Sequence, residues 1–218
     1  MADVTVSAAT ASAVPAAPAG AVAGAPAAPP GAVQRPDFQI VPRAGLPIVA
    51  VVLALLIAAI AANKLWPLEF FHVVGGATWT IVDLFLGFVL GPIIGRMSIP
   101  ARVELTTRLM PKMVLIMPTA VTVTLAAGWQ LASYLGTVQS SYALHGWVVA
   151  SYIVVGVMSV IALGLLEPAN IAVLFELKKP QPNPAVIERL MKRFIYCAAI
   201  TGTMQIATLV IMTKLASG

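Results

Sequence analysis

The sequence predicts an all-α integral membrane protein with five transmembrane helices: a four-helix bundle of two tandem hairpins, plus one N-terminal helix. Two observations carry this prediction. Hydrophobic residues make up 60% of the 218-residue chain and charged residues only 10%, which is too apolar for the surface of a soluble domain. The apolar residues also gather into five stretches, each of about the 20 residues that a helix needs to cross the hydrocarbon layer.

The first 43 residues differ in composition, since they are mainly Ala, Pro, Gly and Val with few large side chains. Such a segment has too little apolar surface to form a packed core, and we expect residues 1–43 to be a disordered cytoplasmic tail. Arg35 and Arg43 precede the first apolar stretch, whereas a signal peptide carries its basic residues and its apolar stretch at its start. The first helix, 44–62, is therefore expected to remain as a membrane anchor.

The other four apolar stretches run over 68–94, 113–135, 144–166 and 194–215, and we expect 68–215 to form the bundle. Five spans place the two termini on opposite sides of the membrane. Of the 13 Lys and Arg residues, only Lys64 and Lys214 lie on the side of the C-terminus. The positive-inside rule then predicts a cytoplasmic N-terminus and an external C-terminus. The net charge of +5 is explained by this topology, and no nucleic-acid partner is expected.

Two similar segments indicate an internal repeat. The third span is entered by "RLMPKMV", from Arg108, and the fifth by "RLMKRFI", from Arg189. His72 and His145, which are the two histidines of the chain, precede these segments by similar distances once the loop "KKPQPNPA" is allowed for. The repeat predicts two parallel hairpins. It places both histidines near the outer surface, on diagonal helices of the bundle.

Helical spacing assigns polar residues to one face of each of these two spans. On the second span the face carries His72, Gly76, Trp79, Asp83 and Leu90. On the fourth span the corresponding face carries His145, Val149, Tyr152, Gly156, Leu163 and Glu167. We expect both faces to point toward the axis of the bundle, where four-helix bundles hold metals and cofactors.

This arrangement favours a b-type haem with His72 and His145 as axial ligands, bordered by Gly76, Trp79 and Tyr152. The protein would then be an electron-transfer or quinone-linked membrane subunit with a redox partner. Copper is the alternative metal, with Met212 as an added thioether ligand. In a third interpretation no cofactor is bound. The histidines then anchor helices at the bilayer interface, and the protein is a membrane subunit or handles copper or a small solute.

Asp83 lies near the middle of the second span, where a carboxylate is costly and is usually protonated or paired. Its predicted function is a proton relay or a hydrogen bond to quinone. The alternative is a neutral acid bonded to a hydroxyl group across the bundle, with these candidates: Thr122, Thr124, Ser159 and Thr203. Glu167, which precedes Pro168, is expected to mark the cytoplasmic end of the fourth span.

The lone Cys197 excludes disulfides and cysteine-based metal clusters, and the chain contains no nucleotide-binding or hydrolase motif. The segments "HVVGGATW" and "ELKKPQPNPAVIERLMKR" resemble the copper-resistance D-like proteins and related bacterial integral membrane proteins. The resemblance covers about 68–215 and implies that the protein lies in a bacterial inner membrane. It implies the bundle rather than copper transport, because the chain has fewer histidines than a copper-handling member is expected to carry.

Overall fold

The structure is a computed structural model that describes residues 38–218, and this part of the chain is helical without any strand. Five long helices follow one another in this order: α1 (Leu46–Ala62), α2 (Leu65–Arg96), α3 (Ile99–Tyr134), α4 (His145–Lys178) and α5 (Pro184–Ala216). A single 3-10 turn, Arg43–Gly45, precedes α1. All five helices are long and apolar enough to cross a membrane, so the prediction of an all-α chain with five candidate spans is confirmed.

The helices are longer than the predicted spans. α3 and α5 begin at Ile99 and Pro184, before the predicted spans 113–135 and 194–215, and α4 continues past the predicted span 144–166 to Lys178. Proline at the first turn favours such early starts, because its missing N–H has no partner to lose there. The Asn183 side chain adds a cap to α5 by accepting from the N–H groups of Ala185 and Val186 at 3.0 and 3.4 Å.

Residues 1–37, which form most of the predicted tail, lie outside the described residues. The last part of that tail, 38–43, is described and contacts the helices. Phe38 and Ile40 pack against the hydrophobic core, and Lys178 Nζ lies 5.4 Å from the centre of the Phe38 ring. This cation–π contact joins the segment before α1 to the end of α4.

The helices contact one another in a ring. α2 packs along α3 and against α5, while α4 packs against α5 and, with its second half, against α3. α1 lies outside this ring, mainly on α3. The core is rich in methionine, whose flexible thioether fills irregular gaps, and its members include Met110, Met113, Met117, Met158, Met191, Leu86, Leu166, Trp79 and Phe194.

Glycine allows a very close contact between α2 and α5. A Cβ atom at Gly87 would lie 2.8 Å from Cα of Ala199 and 2.9 Å from its nitrogen, so the two backbones touch at this point. Small residues permit such approaches between helices in membranes. The contact brings the middle of α2, including Asp83, directly against the middle of α5.

Two π-helical segments interrupt α2 and α4, at Phe85–Leu90 and Ala162–Leu166. Each ends at a dipeptide whose second residue is proline, Gly91-Pro92 in α2 and Glu167-Pro168 in α4. The residue before each proline donates its N–H to the carbonyl oxygen five residues earlier, Gly91 to Leu86 and Glu167 to Ala162. A proline cannot donate the next hydrogen bond, which explains why the α-helical ladder is locally rearranged in front of it.

Gly87→Ala is expected to destabilise the protein by about 1–3 kcal/mol, because the added methyl group meets backbone atoms that cannot move aside. Thermal unfolding in detergent measures the effect. Gly95→Ala on the same helix is the matched control, since a Cβ there meets nothing within 4 Å. Its stability should stay the same or rise slightly through the better helix propensity of alanine. Equal effects of both substitutions would contradict the close α2–α5 contact.

Candidate functional site

A buried polar cluster lies where α2 touches α5. Asp83 and Thr201 are completely buried, and Trp79 and Gln205 are each 2% exposed. Thr80 completes the cluster at 8% exposure. The Asp83 side chain faces those of Thr201, Trp79 and Gln205. Five polar side chains thus meet between α2 and α5.

The hydrogen bonds of this cluster leave its carboxyl group unpaired. Thr80 donates its hydroxyl to Gln205 Oε1 at 2.9 Å, and Thr201 donates to the carbonyl oxygens of Cys197 and Ala198 at 3.0 and 3.2 Å. Both Asp83 oxygens lack a hydrogen-bond partner, as do Trp79 Nε1 and Gln205 Nε2. Two unused N–H donors therefore stand near a carboxyl group that has unused acceptors.

The sequence expectation for the partners of Asp83 was wrong in detail. The hydroxyls of Thr124, Ser159 and Thr203 bond carbonyl oxygens of their own helices, at Ala120, Val155 and Ala199. Thr122 is exposed. The side chains across from Asp83 are on α5, at Thr201 and Gln205, because the Gly87 contact turns that face of α5 toward Asp83. A glutamine in the middle of the apolar run "TGTMQIATLV" was the sequence signal that could have identified Gln205.

His72 is bound to α3. Its Nδ1 lies 3.0 Å from the main-chain oxygen of Thr124, and because a carbonyl only accepts, the proton is on Nδ1. The imidazole also lies over Gly128, where a Cβ atom would come within 2.5 Å of Nδ1. Gly75 and Gly76 face the Thr124 side chain in the same interface. These glycines thus serve the packing of α2 on α3.

His145 is the first residue of α4, and its main-chain N–H donates to the Tyr142 carbonyl at 2.9 Å. Its ring is partly buried, with Nδ1 buried and unpartnered. The hydrogen bonds of residues 38–218 do not join this ring to that of His72. A shared site for the two histidines, with or without Met212 as a third ligand, therefore stays a prediction.

The predicted polar face of α4 points mostly away from the core. Val149, Tyr152, Gly156 and Leu163 are exposed, and nothing lies within 4 Å of a Cβ placed at Gly156. The Tyr152 ring contacts Trp129, with the ring centres 5.6 Å apart.

The residues predicted to border a b-type haem lie in three different settings, and the haem stays a prediction. Gly76 is close to Thr124 of α3, Trp79 is buried beside Asp83, and Tyr152 is exposed. Within residues 38–218, no group of three or more His, Cys, Asp or Glu side chains is placed to hold a metal ion. Among the site residues predicted from the sequence, Asp83 is thus the one that has several buried polar side chains around it.

The chain matches no protein-family model, no curated protein and no solved structure. The resemblance to copper-resistance D-like proteins stays an expectation from the sequence. The site has to be interpreted from its own chemistry.

Thr80→Val is expected to cost about 1–3 kcal/mol of stability, because it leaves Gln205 Oε1 buried without its donor. Thr78→Val is the matched control on the same helix, since the Thr78 hydroxyl is exposed and bonds its own helix at Val74. Thermal unfolding of the two variants in the same detergent compares them. If Thr78→Val is as damaging as Thr80→Val, the bond to Gln205 contributes nothing specific.

Proposed function

We propose that the chain is a multi-pass protein of a bacterial inner membrane, in which α2–α5 form a four-helix bundle of two tandem hairpins and α1 is attached to α3. The ring of helix contacts supports this arrangement. The repeated π segment before Pro92 and Pro168 supports the two-hairpin duplication. The distribution of Lys and Arg favours a cytoplasmic N-terminus and an external C-terminus.

Within this bundle we propose a proton-linked function: Asp83 binds and releases a proton while the protein handles a small solute, with no resident redox cofactor. The observation that carries the proposal is the complete burial of a carboxyl group whose two oxygens have no hydrogen-bond partner. Placing aspartate at the centre of a membrane helix costs about 3 kcal/mol, so intramembrane acids commonly belong to functional sites.

The groups around Asp83 suit both protonation states. A neutral carboxyl group can donate its proton to Gln205 Oε1, which keeps a second lone pair beside the bond from Thr80. A charged carboxylate can accept from Trp79 Nε1 and Gln205 Nε2, the two donors that lack partners. Small side-chain rotations are enough to exchange these bonds. The cluster can therefore hold the acid with or without its proton.

A second candidate is a haem or copper ion bound through His72 and His145. One observation favours it: the Thr124 carbonyl fixes Nδ1 of His72, which leaves Nε2 as the nitrogen free for a metal. Metal-binding histidines commonly have such an outer partner. Because the residues predicted to border the porphyrin lie in three different settings, we derive no reaction step through either metal.

Asp83→Asn is expected to abolish proton movement in vesicles reconstituted with the purified protein, because an amide cannot bind and release a proton at this position. A pH-sensitive dye inside the vesicles measures proton uptake after a pH jump, with empty vesicles as background. Glu69→Gln is the matched control, since Glu69 is an exposed acid on the same helix. Wild-type uptake at the level of empty vesicles, or full uptake with Asp83→Asn, would refute the proton-linked function.

The purified protein is expected to be colourless and free of stoichiometric copper when it is produced with ample haem and copper, because the residues predicted to border a porphyrin lie in three different settings. Within residues 38–218, no three His, Cys, Asp or Glu side chains converge to hold a metal ion either. Visible absorption and elemental analysis test this expectation. A Soret band, or bound copper, that disappears in both His72→Ala and His145→Ala would favour the second candidate instead.

A further inference from the structure

A second buried acid lies in α4. Glu167 is 8% exposed, and neither of its carboxyl oxygens has a hydrogen-bond partner. α4 continues for eleven residues beyond it, to Lys178, so the helix does not end where the sequence predicts that the fourth span leaves the membrane. Two buried acids therefore lack a hydrogen-bond partner, one in each of the helices that begin the proposed hairpins. A third buried acid, Glu176 near the end of α4, is paired with Lys179.

The amide of Asn170 accompanies this second acid. Asn170 is completely buried beside Glu167, and its Nδ2 lies 3.4 Å from the Met110 carbonyl on α3. Its Oδ1 has no hydrogen-bond partner. A neutral Glu167 has a buried acceptor nearby, and a charged one has a nearby N–H donor. The same pairing of acid and amide occurs at Asp83 and Gln205.

Contacts along α3 give the relative depth of the two acids. Gly75 meets Thr124, and since α2 and α3 are antiparallel, Asp83 comes level with about Ile116, eight residues further. Asn170 meets Met110, which places Glu167, three residues before it, level with about Met113. The two acids are then separated by roughly three residues, or ~5 Å along the axis at a rise of ~1.5 Å per residue.

Contacts along α5 give the same answer. Gly202 packs against the main chain of Asp83, and the Thr208 hydroxyl contacts Met158 Sδ at 3.5 Å. Glu167, nine residues beyond Met158, is then level with Ala199. The separation is again roughly three residues, or ~5 Å in depth. Two independent helices thus place both acids in one layer of the core.

The other titratable groups near this layer give neither acid a buried countercharge. On α3 the nearest are Arg108 and Lys112, and on α5 they are Arg193 and Tyr196, all of them exposed. Cys197 is buried and is a neutral thiol donor at most. Without a buried cation, a proton is the means by which each acid is neutralised in an apolar core.

We propose that Glu167, held beside Asn170, is a second proton-binding site, and that it forms with Asp83 one layer that takes up two protons. The inference rests on the proposed proton-linked function and extends it from one acid to two. Because like charges repel across a core of low polarity, the two protons leave in separate steps. The layer thus passes through a singly protonated state, in which one acid is charged and the other neutral.

Infrared difference spectra of the full chain in vesicles, recorded between acidic and alkaline buffer, test the pair. Protonated buried carboxyl groups give carbonyl bands at separate frequencies. The wild type should show two such bands, Glu167→Gln only the band of Asp83, and Asp83→Asn only the band of Glu167. Glu104→Gln, an exposed acid on α3, is the control and should retain both.

Asn170→Ala and Gln205→Ala remove the neighbouring amides and leave both carboxyl groups in place. They therefore test each site without removing its acid. Asn170→Ala should shift the Glu167 band alone, and Gln205→Ala the Asp83 band alone. A spectrum that Glu167→Gln leaves unchanged would refute the second site, even if Asp83→Asn abolishes proton uptake. Loss of uptake with Glu167→Gln as well, at normal elution on size exclusion, would support a shared layer. Unchanged uptake with Asp83→Asn would instead refute the proposed function itself.

Discussion

The structure depends on one constraint: a polar group inside an apolar assembly of helices must find its partner within that assembly. Most hydroxyl groups meet it locally. The hydroxyls of Thr119, Thr124 and Thr213, for example, donate to carbonyl oxygens four residues back in their own helices. The groups that cannot do so, the carboxyl and amide side chains in α2, α4 and α5, are therefore brought together in the core. The carboxyl and amide side chains of the core thus lie where the helices contact one another.

The same constraint explains how much of the fold could be predicted. Hydropathy identifies five helices because each apolar stretch is long, and helix formation within it is obligatory. It does not identify the helix starts at Ile99 and Pro184, because the first turns of these two helices lie outside the apolar stretches. The burial of Asp83 could also be predicted, because a central acid cannot face lipid at low cost. The side chains that surround Asp83 could not be predicted, because they depend on the backbone contact at Gly87.

The histidines show the limit of reasoning from composition and depth. Their similar positions in the two hairpins predict one common site, which stays a prediction, but these positions do not predict the hydrogen bond between His72 and the Thr124 carbonyl of the neighbouring α3. A histidine ring that lies between two packed helices has several main-chain carbonyl groups near it, and the sequence does not show which one it contacts. His145 occupies a different setting at the very start of α4. Equivalence along the chain therefore did not imply equivalence of contacts.

The π segments change the angular register of the helices that contain them. A π turn holds one residue more than an α turn, and at about 100° per residue it displaces everything beyond it by roughly that angle. Counted at regular spacing, Glu167 shares a line with Tyr152 and Gly156, both of which are exposed. The segment Ala162–Leu166 rotates Glu167 off that line and into the core. One missing N–H, at Pro168, thus selects which side of the helix the acid faces.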